Sequence, residues 1–240
     1  MAVAFDASAE SDTGTTGSVS EASFTWDITP VGTPRGVGVA VFTFAGADKV
    51  TTVTADGVGL SEIAEAVDSA GEKGRTTLFY LGASVPATTP LPIVVNRTND
   101  ATVMYAIAFT VTAGGDTEIY TTGIVKVEGD VDLAEQSVDD GSPGTNSLRF
   151  AFATSGLGVE SNLPAGANST LLHSFDRGAM LAAGARETTA GQGARNVGFD
   201  ASASDDCAAI HFAVREIAGA GLGIPIAAYH YNHHLGSMQS

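Results

Sequence analysis

The chain is poor in the residues that many catalytic and binding chemistries require. Its 240 residues include one cysteine, Cys207, and one tryptophan, Trp26, and 11 basic side chains stand against 27 acidic ones, a formal net charge of −16. A single cysteine closes no internal disulfide, so burial has to hold the fold, and with 44% of the residues hydrophobic it can. The shortage of lysine and arginine excludes direct binding of DNA or RNA, which needs basic residues gathered on one face to meet phosphates. No apolar run approaches the roughly 18 residues that would span a bilayer. Residues 1–9 lack the basic start and apolar stretch of a secretory signal. The expectation is a soluble protein made in a cytoplasm, in which the sequons Asn96-Arg97-Thr98 and Asn168-Ser169-Thr170 carry no glycan.

Short catalytic motifs are missing as well. There is no Gly-x-Ser-x-Gly elbow, no His-Glu-x-x-His zinc site, no Gly-x-x-x-x-Gly-Lys phosphate loop and no Cys-x-x-Cys pair. Cys207 follows Asp205-Asp206, and adjacent negative charge disfavours the thiolate a nucleophile needs. It reads as a buried structural residue at the start of a strand.

What the chain has in quantity is alternation and turns. Between Thr102 and Thr112, Val103, Tyr105, Ile107, Phe109 and Val111 alternate with smaller residues, the period-2 pattern of a strand with one large-residue face. Gly36 to Phe44 is apolar on both faces and reads as a central strand. Further strands are expected at Phe24–Ile28, Val50–Ala55, Leu60–Ala66, Thr76–Leu81, Leu91–Asn96, Glu118–Val127, Leu148–Ala153, Leu171–Phe175, Ala179–Arg186, Asn196–Ala203 and Ala208–Glu216. Leu60 to Ala70 also shows helical spacing, but its turn-rich flanks favour a strand. Many of the 29 glycines fall in turn signals such as Asp56-Gly57, Gly114-Gly115-Asp116 and Asp140-Gly141-Ser142-Pro143-Gly144. Short strands at near-regular spacing indicate an all-β fold, an antiparallel sandwich or barrel in a single domain. Three parts are expected: an N-terminal segment, 1–12; the sandwich, 13–218; and a C-terminal docking tail, 219–240. The acidic stretch Asp130 to Gly144 is read as a surface connection, since each side holds too few strands to close a sheet alone.

The tail begins with the hinge Gly219-Ala220-Gly221-Leu222-Gly223 and carries apolar and aromatic residues without a charged side chain other than histidine. Leu222, Ile224, Pro225, Ile226, Tyr229 and Tyr231 are the expected partner-docking residues, because exposed isoleucines and tyrosines need a surface to bury them. His230, His233 and His234 have a spacing that binds metal if ligands converge, but packing against a partner is the simpler reading. Glu128, Asp130, Asp132, Asp139 and Asp140 offer oxygens for calcium, yet match a calcium loop poorly and read as acidic surface turns. Phe24, Trp26, Tyr80, Tyr105 and Tyr120 form either a sugar-stacking platform or, as large residues on strands usually do, the core. His173 and His211 read as structural histidines on strands. No catalytic, cofactor or metal residue is assigned.

At Val31-Gly32-Thr33-Pro34-Arg35-Gly36, running into Val37–Phe42, the sequence resembles a family of β-sandwich virion proteins of tailed bacteriophages and prophages. The likeness extends through Phe24-Thr25-Trp26, Val53–Val58, Leu78–Gly82 and Ala208–Glu216. It implies a jelly-roll or concanavalin-like sandwich without catalytic residues, displayed on a virion assembled in the bacterial host cytoplasm. The implied partners are other capsid, tail or fibre subunits and further copies of the chain, a homo-oligomer such as a trimer, docked through its termini. Two alternatives stay open: recognition of a host cell-surface polysaccharide by loops at one end of the sandwich, and a polysaccharide depolymerase with two carboxylates facing a groove.

Overall fold

Alternating large and small side chains give seventeen strands in a computed structural model that describes residues 2–11, 23–43, 50–68, 74–98, 104–155, 163–176, 181–201 and 205–217. The first half contains β1 (Ala4–Glu10), β2 (Ser23–Ile28), β3 (Gly36–Thr43), β4 (Val50–Ala55), β5 (Val58–Gly59), β6 (Ser61–Val67), β7 (Arg75–Leu81), β8 (Leu91–Arg97) and β9 (Met104–Thr112). The second half contains β10 (Thr117–Ile119), a 3-10 turn at Thr121–Gly123, β11 (Val125–Val131), β12 (Ala134–Val138), β13 (Leu148–Ser155), β14 (Ser169–Asp176), β15 (Leu181–Glu187), β16 (Arg195–Asp200) and β17 (Asp205–Glu216). Every strand pairing among the described residues is antiparallel.

Each half closes an inner and an outer sheet of its own. The first half orders its inner sheet β1-β9-β3-β7-β6 and its outer sheet β2-β8-β4-β5. The second orders its inner sheet β10-β17-β13-β15-β14, with β11 also on β17, and its outer sheet β12-β16. The path is the same twice: β9, β3, β7 and β6 correspond to β17, β13, β15 and β14, and β2-β8 to β12-β16. Where β4 flanks β8, a lone bridge from Ala165 to Phe199 flanks β16. Ala106-Ile107-Ala108-Phe109-Thr110-Val111 in β9 and Ala209-Ile210-His211-Phe212-Ala213-Val214 in β17 occupy matching places, since Ala40 faces Ile107 as Phe152 faces Ile210.

The two inner sheets pack face to face, so the layers are four rather than the two of one sandwich. The shared middle core joins Phe42, Tyr80, Tyr105 and Phe109 to Phe150, Phe152, Phe175 and Phe212. Phe109 and Phe150 stack with ring centroids 4.3 Å apart. That approach depends on two glycines: a Cβ on Gly38 would fall 2.2 Å from the Phe109 ring, and one on Gly184 would fall 2.6 Å from the Phe152 ring. Val37, Val39, Val41 and Phe79 face the first outer sheet, while Ala151, Ala153, Ala183 and Ala185 face the second. The seam is tied by Thr76 Oγ1 donating to the Ala208 carbonyl at 2.7 Å, the Tyr80 and Thr117 hydroxyls 2.7 Å apart, and the Val67 amide donating to Glu128 at 3.1 Å.

The all-β antiparallel class agrees with the alternation read from sequence, and Leu60 to Ala66 falls in a strand. Three expectations change. The division between halves lies between β9 and β10, and the stretch 130–144 holds the end of β11 and all of β12. The N-terminal segment, set apart from the sandwich at 13–218, contributes Ala4–Glu10 to the first inner sheet, where it pairs with β9. Glu118 to Val127 is not one strand, because the turn at Thr121–Gly123 separates β10 from β11; Gly123 sits there so close to the Asp139 carbonyl that a Cβ would lie 2.2 Å from it.

Candidate functional site

A charge stands at an inward position in the middle of an apolar strand. In Leu148-Arg149-Phe150-Ala151-Phe152, alternation turns Phe150 and Phe152 toward the middle core and Arg149 toward the second outer sheet, where it is fully buried. All of its guanidinium nitrogens are engaged. Nε donates to the Val138 carbonyl at 3.1 Å, and Nη1 to Glu187 Oε1 at 3.0 Å and the Gly191 carbonyl at 2.8 Å. Nη2 meets Asp140 Oδ2 at 3.0 Å and donates to the Gly193 carbonyl. Buried charges persist only when paired and hydrogen-bonded; here one guanidinium gathers the loop before β13 and the loop after β15.

Its two carboxylate partners are held differently. Burial pushes Asp140 upward, but backbone amides of Ser142 and Gly193 and the charge of Arg149 more than offset it, leaving its pKa below the ordinary value. For Glu187 burial wins and its pKa is raised, although Arg149 and Arg195 pull the other way. Arg195 Nε donates to Glu187 Oε2 at 3.0 Å and its Nη2 to the Thr189 carbonyl at 3.0 Å. Both Glu187 oxygens therefore face guanidinium groups, Oε1 that of Arg149 and Oε2 that of Arg195.

Above this network lies a groove of about 440 Å³, lined by Asn168, Glu187, Thr188, Thr189, Arg195 and Asn196 with two alanines between them. Outside the lining, Glu135 holds the Asn168 side in place: its carboxylate accepts from the Asn168 amide at 2.7 Å, from Asn168 Nδ2 at 2.7 Å and from Ser169 Oγ at 2.9 Å. Ser169 Oγ accepts in turn from the Gly198 amide at 2.9 Å. Beneath Gly198 lies His211, fully buried, with both ring nitrogens lacking a well-formed hydrogen bond. Burial depresses its pKa to about 4, despite the raising effect of the Val125 backbone. The chemistry available in the groove is hydrogen bonding from amides, hydroxyls and one guanidinium edge.

The residues singled out in the sequence fall elsewhere. Leu222, Ile224, Pro225, Ile226, Tyr229 and Tyr231 lie outside the described residues, as do His230, His233 and His234. Of the carboxylates considered for calcium, Glu128 accepts the Val67 amide, Asp139 caps Gly141 and Asp140 pairs with Arg149; among the described residues no three His, Cys, Asp or Glu side chains are placed to hold a metal ion. Asp140 is thus no surface turn residue but a buried anchor. The aromatic platform does not form: Phe24, Tyr80 and Tyr105 are core, Trp26 stacks half-buried on Phe24 at 5.7 Å, and Tyr120 lies under Arg215. Cys207 is buried in β17. His173 shares a 3.0 Å hydrogen bond with Ser8 across the seam, and His211 is fully buried in β17 beside the Val125 backbone. Arg149, Glu187 and Arg195 were not legible as a site, although an arginine at an inward position of a period-2 run was the signal for it.

Compared with known proteins, the chain matches no family model, no curated protein and no solved structure.

Proposed function

We propose that the chain is a non-enzymatic structural protein of a tailed-phage virion, a surface subunit that decorates the head or forms part of a head or tail fibre. The observation that carries this reading is the strand order. Counting β5 and β6 as one strand that crosses between sheets, the first half places strands one, eight, three and six in its inner sheet and two, seven and four in its outer sheet, and the second half repeats the path. That order supports the jelly-roll reading implied by the resemblance at Val31–Phe42. A rigid β-body without disulfides and with a net charge of −16 suits a particle assembled in a bacterial cytoplasm and displayed to solvent.

Because Ala4–Glu10 is built into a sheet, docking onto capsid, tail or fibre subunits, or onto further copies of the chain, falls to the uncharged tail with Leu222, Ile224, Pro225, Ile226, Tyr229 and Tyr231. Deleting 219–240 is expected to leave a folded body with unchanged melting that no longer joins the particle. Incorporation of the truncated chain at normal levels would contradict the assignment. A second reading, recognition of a host surface polysaccharide, is favoured by the polar groove at Asn168, Arg195 and Asn196.

A further inference from the structure

We infer that the groove between the loop after β15 and the start of β16 is a binding site for a neutral saccharide unit. This rests on the second reading above and not on virion membership. Three observations converge on it.

The first is chemical. Asn168, Thr188, Thr189 and Asn196 are exposed and bring amide and hydroxyl groups to one groove, the complement of a polyhydroxylated ligand. No aromatic side chain lines it, so recognition is by hydrogen bonds without ring stacking. Its volume of about 440 Å³ lies within the range of small-ligand pockets.

The second is electrostatic. The charged side chains of the lining are Arg195 and Glu187, and they pair with each other at 3.0 Å. The groove is therefore close to neutral on a chain whose net charge of −16 repels anions. A neutral sugar fits this better than a uronate or a phosphate-bearing one.

The third comes from the duplicated path. Arg149 and Glu187 occupy the places that Val37 and Leu81 hold in the first half, where Val37 pairs with Thr110 and Leu81 as Arg149 pairs with Ala213 and donates to Glu187. The same sheet thus forms with apolar residues there. A buried ion network is weak evidence for stability, but this one fixes the carbonyls of Gly191 and Gly193 and the position of Arg195. It gives the groove a rigid floor, and preorganised walls reduce the entropy lost on binding.

The test is a printed panel of neutral hexose and N-acetylhexosamine oligosaccharides beside uronate-, sialate- and phosphate-bearing ones, probed with the full chain. Affinities for hits are then measured by calorimetry or ligand-observed NMR. At least one neutral glycan is expected to bind, and Asn196→Ala and Thr189→Val, which change exposed side chains and leave the Thr189 carbonyl bonded to Arg195 in place, are expected to weaken it about tenfold or more without changing the melting temperature. Failure of every neutral glycan to bind, preference for the anionic ones, or equal binding by both variants would overturn the inference. Particle incorporation of the same variants is read separately, so a failed groove and a failed virion assignment are distinguishable.

Discussion

The two halves of the molecule follow one strand path and fill it with different residues, and the differences fall into two kinds. In the shared middle core they are reciprocal. Gly38 in β3 matches Phe150 in β13, and Leu78 in β7 matches Gly184 in β15, so one half is small where the other is large, and each glycine makes room for a ring of its own half, Phe109 and Phe152. On the outward faces the differences are not reciprocal. Val37, Leu81 and Ala108 in the first half are replaced by Arg149, Glu187 and His211 in the second. Complementary packing explains the first kind of difference. The second kind buries polarity that the same strand path in the first half does without, and one member of it, Glu187, lines the groove.

The sharpest way to break this comparison is to truncate the matching residues. Arg149→Ala leaves Asp140 and Glu187 buried without their shared partner and is expected to cost about 3–5 kcal/mol of folding stability. Val37→Ala at the matching place removes two methyl groups and is expected to cost about 1–2.5 kcal/mol. Denaturant unfolding of both variants checks the gap; equal losses would mean that the charge is ordinary packing.

A smaller effect separates His211 from Ala108. The His211 pKa falls to about 4 in the folded chain, whereas an unfolded histidine titrates near 6.5. Between those values the unfolded chain holds more protons, so stability is fully present above about pH 6.5 and declines as pH drops toward 4, by about 3 kcal/mol in total. Glu187 acts in the opposite sense, since its raised pKa lets the folded chain take up a proton more readily than the unfolded one. Urea unfolding at pH 7 and pH 4.5 is expected to show a smaller difference for His211→Ala than for the parent chain. An unchanged difference would show that His211 does not drive the acid loss.

The inner strands were legible in the sequence because they are covered on both sides, so β3, β9, β13 and β17 are marked by dense apolar alternation. Strands with one poorly covered face were not: Ala4–Glu10 has Phe5 as its one large apolar residue, and Ala134–Val138 contains a single valine. The duplication was hidden by the reciprocity that makes it pack. Two halves whose cores interlock must differ where they touch, so outside the Ala-Ile-x-Phe-x-Val stretches of β9 and β17 little likeness survives. Of the groove, Asp140 was noticed for the wrong reason. Its partners Arg149 and Glu187 lie on separate strands and meet only through the register of β13 with β15.

The claim that the buried charges serve the groove and not the fold is tested most directly by hydrogen exchange on a triple variant, Asp140→Asn, Arg149→Val and Glu187→Leu, which gives the second half the apolar pair of the first. Amides of β13, β15 and β17 are expected to keep their protection, while those at 141–147 and 188–195 exchange about tenfold faster or more, because the carbonyls of Ser147, Gly191 and Gly193 lose the guanidinium that gathers them. Loss of protection throughout β13, β15 and β17, or unchanged exchange in both loops, would contradict it.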